Sequence, residues 1–274
     1  MGKKVRRLLP LAVCLAAVLL TLDSNFRIDV REYEISSDRL PAAFDGFRIV
    51  QLSDLHAAGY GAGHERLLRA VRGADPDIIV ITGDLTDAPG QVGYAAGLTE
   101  KLVSVAPVYY VTGNHEWATG EIRELLAALE AAGARTLRNE TVELMRSGEH
   151  LTLVGLEDPN GPADMATPEE VFGRLGEEAG YTVVLNHRND RLERLAALGA
   201  DLILSGHAHG GIVRLPGTDG LIGPSMDWFP THTSGVYTSG GSVMVVSRGL
   251  GNIAPTFRVL NNVHLPVVIL RAEE

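Results

Sequence analysis

The chain of 274 residues contains one cysteine, few aromatic residues and fewer basic than acidic side chains. A single cysteine excludes an intramolecular disulfide framework and any zinc module built from cysteines. The formal net charge of −10 argues against a general nucleic-acid-binding protein, which needs a basic surface. The hydrophobic fraction of 45% is enough for a sizeable core, so wholesale disorder is excluded as well.

The first 22 residues differ from the rest of the chain in charge. They contain Lys3, Lys4, Arg6 and Arg7 and no acidic residue, so the remaining chain has a net charge of −14. Behind these cations, Leu8 to Leu22 carry no charge and would span roughly 22 Å as a helix, against a membrane core of about 30 Å. A positive segment followed by an apolar one is the layout of a signal sequence.

Cleavage and retention are the two possible fates of this segment. Thr21-Leu22-Asp23-Ser24-Asn25 has no A-x-A-like cleavage site, so we favour an uncleaved, single-pass signal-anchor over residues 1–24, with a membrane-proximal lead-in over residues 25–43. Cys14 is interpreted as an apolar residue of the anchor and not as a lipidation site. The positive-inside tendency predicts that residues 44–271, one undivided domain, lie on the extracytoplasmic side of the cell membrane.

From Phe44 onward, apolar runs alternate with polar clusters and helix-like stretches, which is typical of an α/β fold. Five apolar runs predict strands that lead directly into Asp, Asn or His: Phe47–Leu52, Asp77–Thr82, Pro107–Thr112, Tyr181–Leu185 and Asp201–Leu204. Leucine and alanine at helical spacing predict crossover helices over Glu65–Arg72, Gly120–Ala132 and Asp190–Leu198, and strands are predicted within Val236–Ser247 and Val263–Leu270. Ligands of open α/β sheets bind at the carboxyl ends of strands, so we expect the polar clusters to meet there.

Each polar cluster alone has an ordinary structural interpretation. An aspartate after a strand is commonly a helix N-cap, and a lone histidine is usually structural. The combined donor set is Asp54, His56, Asp84, Asp87, Asn114, His115, His187, His207 and His209. It exceeds the four ligands of a structural zinc site, and its nitrogen and oxygen donors suit Zn, Mn or Fe(II). It suffices for two metal ions and a proton-transfer group, the arrangement used for phosphoester hydrolysis.

The ordered blocks resemble the motifs of the calcineurin-like metallophosphoesterases. These blocks are Asp54-Leu55-His56, Gly83-Asp84-Leu85-Thr86-Asp87, Gly113-Asn114-His115-Glu116, His187 and Gly206-His207-Ala208-His209. Arg138-Asn139-Glu140, Gly155-Leu156-Glu157-Asp158 and Ser247-Arg248-Gly249-Leu250-Gly251 further resemble a membrane-anchored bacterial branch that hydrolyses phosphodiesters and includes UDP-2,3-diacylglucosamine hydrolases. The resemblance covers Phe44 to Leu270 and implies a four-layer α-β-β-α sandwich, here behind the N-terminal membrane segment.

The resemblance also implies a dinuclear metal centre held by seven residues. One ion would be bound by Asp54, His56 and His209. The other would be bound by Asn114, His187 and His207. Asp84 would bridge them, and the two divalent ions could be Mn, Fe, Zn or Co.

Two further residues receive catalytic roles from the same resemblance. A water or hydroxide between the metals would be the nucleophile, His115 would donate a proton to the leaving group, and Asp87 would orient His115. Glu116 is expected to support the site. Relatives often continue the fourth block with Arg and Pro, whereas Arg188-Asn189 follows His187 here, a departure that concerns the local turn more than the ligand.

The resulting expectation is a hydrolase acting as a phosphodiesterase or pyrophosphatase on an amphiphilic or envelope-derived, possibly lipid-linked, phosphoester. A phosphomonoesterase is the alternative within this class, and a catalytically silent, membrane-tethered metal-binding receptor is the alternative outside it. A metalloprotease is disfavoured because no helix carries paired histidines with an intervening glutamate. No nucleic-acid partner is expected.

An apolar loop between residues 216 and 235 has two interpretations. Its large side chains either pack into the core or form a lip beside the metals that contacts an acyl chain or the membrane surface. The predicted anchor favours the lip, with Trp228 and Phe229 as substrate-binding residues.

Overall fold

The computed structural model describes residues 3–176, 179–215, 217–224, 226–252 and 256–273, with the backbone only at residues 3–9 and 11. The helices are α1 Lys3–Phe26, α2 Glu65–Gly73, α3 Val92–Val103, α4 Asn114–Thr119, α5 Ile122–Ala131, α6 Pro168–Gly173 and α7 Leu192–Ala197. The strands are β1 Asp29–Ser37, β2 Arg48–Leu52, β3 Ile78–Thr82, β4 Val108–Val111, β5 Arg135–Thr136, β6 Glu140–Arg146, β7 Glu149–Gly155, β8 Thr182–Leu185, β9 Leu202–Ser205, β10 Gly235–Ser239, β11 Ser242–Val246 and β12 His264–Ala272.

These strands form two six-stranded mixed sheets. The order of sheet A is β1-β12-β2-β3-β4-β5, and the order of sheet B is β10-β11-β9-β8-β7-β6. Strands β2 to β5 pair in parallel in sheet A, as do β7, β8, β9 and β11 in sheet B. The carboxyl ends of the parallel strands in each sheet therefore lie along one edge.

Three apolar clusters hold the helices and the two sheets together in four layers. One cluster packs α2, α3 and α5 against sheet A, a second fills the space between the two sheets, and a third packs α6 and α7 against sheet B. Strand β3 is buried along its whole length, which explains why its sequence is an uninterrupted apolar run. The mixed α/β, two-sheet architecture is confirmed, with the layers in the predicted α-β-β-α order.

The five strands predicted from apolar runs are all present, and each begins one residue later than predicted. The three predicted helices correspond to α2, α5 and α7. Helix α3 was not predicted because Gly93 and Gly97 weaken its helical signal, although Ala95, Leu98 and Leu102 are buried along one face. The segment predicted to contain strand over Val236–Ser247 is a hairpin of β10 and β11.

The N-terminal region is the main departure from the predicted organisation. Within the part of the chain that the structure describes, no helix is both long and apolar enough to cross a membrane. The signal-anchor over residues 1–24 is therefore not confirmed. In the predicted lead-in, β1 is the edge strand of sheet A and pairs in parallel with β12, from Asp29 opposite His264 to Ser37 opposite Ala272. The division of the chain at residues 24 and 43 stays a prediction.

The end of α1 is bonded to the C-terminal part of the chain. The Ser24 carbonyl accepts a hydrogen bond from the backbone N–H of Val263 at 3.1 Å. The side chain of Asn25 donates to the carbonyl of Arg258 at 2.9 Å and accepts from the backbone N–H of the same residue at 3.3 Å. The last turn of α1 thus packs onto the domain that contains both sheets.

Candidate metal centre

The polar residues singled out in the sequence meet at the carboxyl ends of five strands. Asp54 and His56 follow β2, Asp84 follows β3, Asn114 begins α4 after β4, His187 follows β8, and His207 and His209 follow β9. They form two groups of potential metal ligands. The first cluster is Asp54, His56 and His209, and the second cluster is Asp84, His187 and His207. A third group of His56, Asp84 and His115 joins the two clusters.

The first cluster points two ring nitrogens and a carboxylate at one place. Nε2 of His56 lies 3.0 Å from Nε2 of His209, which lies 3.4 Å from Oδ1 of Asp54. The other ring nitrogen of His56, Nδ1, contacts Oδ1 of Asp87 at 3.3 Å. A carboxylate behind a histidine in this way fixes the ring and leaves Nε2 as the ligand atom, a pattern common in metal sites.

The second cluster shows the same orientation of ligand atoms. Nδ1 of His187 lies 2.8 Å from the carbonyl oxygen of Thr82 and donates to it, so Nε2 is free to bind an ion. That Nε2 lies 3.3 Å from Oδ2 of Asp84 and 3.1 Å from Oδ1 of Asn114. The donor set therefore fits a divalent metal ion at each cluster.

Asp84 lies between the clusters, and its two oxygens have different partners. Oδ1 accepts a hydrogen bond from the backbone N–H of His115 at 2.9 Å. Oδ2 faces both Nε2 of His187, at 3.3 Å, and Nε2 of His56, at 3.8 Å. Asp84 therefore faces histidines of both clusters through one oxygen, the position expected of a residue that would serve both ions.

The two histidines of the second cluster have pKa values shifted in opposite directions. Although burial lowers the pKa of His187, the adjacent charge of Asp84 raises that pKa to about 10. Burial and the neighbouring charge of His187 lower the pKa of His207 to about 3. Without metal, the proton on His187 therefore balances the buried carboxylate of Asp84. A divalent ion would supply the same counter-charge, which is a further sign that these residues fit one.

The backbone of the site is held in an uncommon conformation. Five of the seven proposed ligands have a positive φ, between 47° and 66°: Asp54, His56, Asp84, His207 and His209. Such values cost about 1–3 kcal/mol at a strained non-glycine residue, somewhat less for Asp and His, and they concentrate at functional sites. Close approach also requires glycine at Gly113, where a Cβ would collide with the carboxylate of Asp84.

Glu116 fastens two ligand-bearing loops together. Its fully buried carboxylate accepts backbone N–H groups from Gly113 at 2.7 Å, Asp84 at 3.0 Å and Leu85 at 2.6 Å. Burial and the charge of Asp84 raise the pKa of Glu116 to about 7. The contacts match the supporting position that the sequence suggested for this residue.

His115 and Asp87 form the contact expected of an oriented proton donor. Nδ1 of His115 lies 2.9 Å from Oδ1 of Asp87, and Nε2 of His115 lies 4.0 Å from Oδ2 of Asp84. Asp87 also contacts His56, so one carboxylate positions a proposed ligand and the proposed proton donor. The hydrogen bond to Asp87 leaves Nε2 of His115 available for proton transfer.

A cavity of about 310 Å³ opens at the second cluster, lined by Asp84, Asn114, His115, Asn160, Arg188, His207, His209 and Pro224. An adjoining cavity of about 240 Å³ shares His207 and Pro224 with it. Another, of about 340 Å³, lies between the end of α1 and residues 58–60, and no proposed ligand lines it. The converging donor groups therefore place the candidate site in the first two cavities.

The apolar loop reaches these cavities through Pro224, Asp227, Pro230 and Thr231 and not through its aromatic residues. Trp228 and Phe229 are each 69% exposed, so the interpretation that these rings pack into the core is wrong. Neither ring lines either of the two cavities. Their predicted role in substrate binding stays a prediction.

Two arginines at the site were not predicted as functional residues. Arg188 contacts Nε2 of His207 at 3.0 Å, and Arg258 contacts Nδ1 of His209 at 3.3 Å. The position of Arg188 directly after His187 was an available signal. The side chain of Asn186 donates to the carbonyl of Arg188, which closes the turn without the proline found in relatives. Arg258 lies outside every motif, so the sequence offered no signal for it.

Comparison with known proteins identifies the family. The profile of the calcineurin-like phosphoesterases matches residues 47–211, which include every proposed metal ligand. The chain belongs to the calcineurin-like phosphoesterase family. Members of this family generally bind divalent metals, in agreement with the clustered His and Asp groups, and the family identifies the chain as a phosphoesterase-type hydrolase.

Individual members of the calcineurin-like phosphoesterase family align over most of the chain. The uncharacterized metallophosphoesterase YkuE of Bacillus subtilis is 29% identical over 253 residues, which are 89% of this chain and 86% of YkuE. The phosphodiesterase YaeI of Escherichia coli is 26% identical over 216 residues, 76% of each chain. The solved phosphopantetheinyl hydrolase of Mycobacterium tuberculosis has a TM-score of 0.48 and 14% identity, covering 74% of this chain and 89% of that one.

Proposed function

We propose that the protein hydrolyses phosphodiester or phosphoanhydride bonds with two divalent metal ions. The observation that carries the proposal is the position of Asp84, whose Oδ2 faces histidines of both clusters beside the contact between His115 and Asp87. The relative YaeI is named a phosphodiesterase, which supports the proposal that this protein hydrolyses phosphodiesters. The amphiphilic or envelope-derived character of the substrate is part of the proposal and rests on the sequence resemblance.

The chain would contribute binding and proton transfer to this reaction. The first cluster would hold one ion, and His187, His207 and Asn114 would hold the other. When bound, the two ions would lower the pKa of an attacking water and offset the negative charge of the phosphoryl group. His115, held by Asp87, would give the proton on its Nε2 to the leaving oxygen. His115 lies beside Asp84, but its proposed role is proton transfer and not metal binding.

The test is hydrolysis by the purified full chain loaded with Mn(II). Bis-p-nitrophenyl phosphate reports diesterase activity, p-nitrophenyl phosphate reports monoesterase activity, and pyrophosphate reports anhydride cleavage. We expect the diester or the anhydride to be the better substrate. A preference for the monoester would support the phosphomonoesterase alternative. No hydrolysis of any substrate, with two ions bound, would support the silent metal-binding receptor.

We further propose that α1 associates the protein with a membrane on the extracytoplasmic side. The support is the set of large apolar side chains that α1 exposes: Val13, Leu15, Val18, Leu19, Leu20, Leu22 and Phe26. Fractionation of cells in a buffer of physiological salt tests the association, and protease treatment of intact spheroplasts tests the side. Recovery of the full chain in the soluble fraction, or its protection from the protease, would contradict the proposal.

A further inference from the structure

Arg188 is the one lysine or arginine among the eight residues that line the metal-site cavity. A guanidinium beside metal ligands raises the question of whether it packs the site or binds substrate. Its side chain is 21% exposed, so it is neither sealed in the interior nor freely mobile in solvent.

Asp158 fixes the direction of this guanidinium. Nε of Arg188 donates to Oδ2 of Asp158 at 2.6 Å, and Nη2 donates to Oδ1 at 3.1 Å. Asp158 is itself 1% exposed and is anchored through its backbone N–H, which donates to Oγ1 of Thr112 at 3.1 Å. A bidentate pair on a buried carboxylate is a preorganised arrangement, because little side-chain freedom remains to be lost on binding.

The hydrogen-bond inventory of Arg188 leaves one donor unused. A guanidinium has five N–H groups. Two donate to Asp158, one makes a long 3.5 Å contact with Oδ1 of Asn160, and one donates to Nε2 of His207 at 3.0 Å. Among the residues that the structure describes, the second N–H of Nη1 has no partner.

Asn160 adds a second donor of the same kind. Arginine only donates, so the side-chain atom of Asn160 that faces it must be the carbonyl oxygen. The amide nitrogen of Asn160 is then left for another partner, and Asn160 lines the same cavity as Arg188. The N–H of Arg188, fixed by Asp158, and the exposed amide of Asn160 both lie at the wall of this cavity, and such donors suit an oxyanion with several oxygens.

We infer that Arg188, supported by Asn160, binds a phosphoryl oxygen of the substrate that the metal ions do not hold. This inference rests on the proposed phosphoester hydrolysis and deepens it by assigning a substrate-binding residue. Arginine only donates, so Nε2 of His207 accepts the bond from Arg188 and the proton of the neutral ring lies on Nδ1. Binding of an ion by either ring nitrogen would therefore release this contact and leave both N–H groups of Nη1 free for substrate. The oxygen could belong to the phosphoryl group under attack or to a neighbouring phosphate of the same substrate.

The experiment measures phosphate binding by the Mn-loaded full chain and its Arg188→Gln variant. Isothermal titration calorimetry with inorganic phosphate probes the position of the reacting phosphoryl group, and methylenediphosphonate probes a neighbouring one. Losing a charge-assisted hydrogen bond should weaken binding by about 10- to 100-fold. Arg191→Met is the matched control, because Arg191 is three residues away and lines a different cavity.

Each outcome decides the inference. Weaker binding of both probes assigns Arg188 to the reacting phosphoryl group, and weaker binding of the diphosphonate alone assigns it to a neighbouring phosphate. Unchanged binding of both probes with full metal content overturns the inference. Loss of metal, measured by mass spectrometry of the eluted ions, overturns it too, because Arg188 would then position His207 instead.

Kinetics and a second variant separate this inference from the proposed function. In Arg188→Gln, KM should rise by about 10- to 100-fold with a smaller change in kcat. Arg188→Lys keeps the charge but cannot pair with Asp158 in bidentate fashion, so it should recover part of the affinity. Because calorimetry needs no turnover, a protein that binds phosphate through Arg188 without hydrolysing any ester would contradict the proposed function alone.

Discussion

The two ligand clusters have similar donors but different surroundings. All three residues of the first cluster are buried, and His209 lies against Arg258, which is 2% exposed. The second cluster faces the cavity, and His207 lies against Arg188, which is partly open to solvent. The two clusters border the same cavity, which His209 of the first cluster also lines, and they differ at one residue, since only His207 is partly exposed. The comparison teaches that the difference lies behind the ligands, where one arginine is enclosed and the other is open to substrate.

Replacing the residue shared by the two clusters should have the largest effect. Asp84→Asn keeps the shape but removes the charge that faces His56 and His187. We expect metal content to fall and hydrolysis to drop by about 10³-fold or more, because metal ions supply several kcal/mol of transition-state stabilisation. Elemental analysis and the ester assays measure both. Asp164→Asn, at an exposed aspartate that lines neither cavity of the site, is the control, and full metal content in Asp84→Asn would refute the bridging role.

The proton donor should separate catalysis from metal binding. His115→Ala removes the ring held by Asp87 but none of the seven proposed ligands. We expect turnover to fall by about 10²- to 10⁴-fold with metal content nearly unchanged. The rate of ester hydrolysis and the bound metal are measured on the same sample. Loss of both ions from this variant would show that His115 is a ligand.

The two arginines should differ in their contribution to stability. The guanidinium of Arg258 donates to the carbonyl oxygens of Gly251 and His209 in the interior. Arg258→Met removes the donor to the Gly251 carbonyl, whereas the His209 carbonyl keeps its bond from the side chain of Asn261 at 2.7 Å. The free energy of unfolding should therefore fall by about 1–3 kcal/mol. Arg188→Met should change it much less. Urea denaturation of the metal-free proteins gives both values, and equal losses would contradict the difference in enclosure.

The smallest effect is a pH dependence that metal should remove. The pKa of His187 is raised from 6.5 to about 10 in the folded protein, so its stabilising contribution is complete below pH 6.5 and is lost as the pH rises toward 10. We expect the Tm of the metal-free protein to fall by a few degrees across this range. Scanning calorimetry with and without Mn(II) measures it. A Tm that rises over the range would contradict the pairing of His187 with Asp84.

The sequence predicted the position of the site because its signals are local. An apolar run followed by Asp or His marks both a strand and its carboxyl end, and parallel pairing then brings His56, Asp84 and His187 together. The contacts of Asp84 through separate oxygens could not be predicted, since they depend on the turn that holds the backbone of His115. Arg258 could not be predicted either, because its bond to His209 joins residues 49 positions apart with no motif between them.

Strand β1 was missed for a similar reason. Its partner, β12, lies at the other end of the chain, and a pairing of Asp29 with His264 leaves no trace in the local pattern. The exposure of Trp228 and Phe229 agrees with the favoured interpretation of the loop as a lip. The sequence could not exclude the alternative, because an apolar loop that packs inward has the same composition as one that faces solvent.

The hydrogen bonds between α1 and Arg258 couple the position of the N-terminal helix to that of the candidate metal centre. Asn25 holds the backbone of Arg258, and the side chain of Arg258 touches His209, so a single residue separates the helix from a proposed ligand. A displacement of α1 would therefore move Arg258, and with it the ring of His209 in the first cluster. A shortened protein that begins at residue 25 would also lose the bond from Val263 to Ser24, so trimming should stop before Asp23.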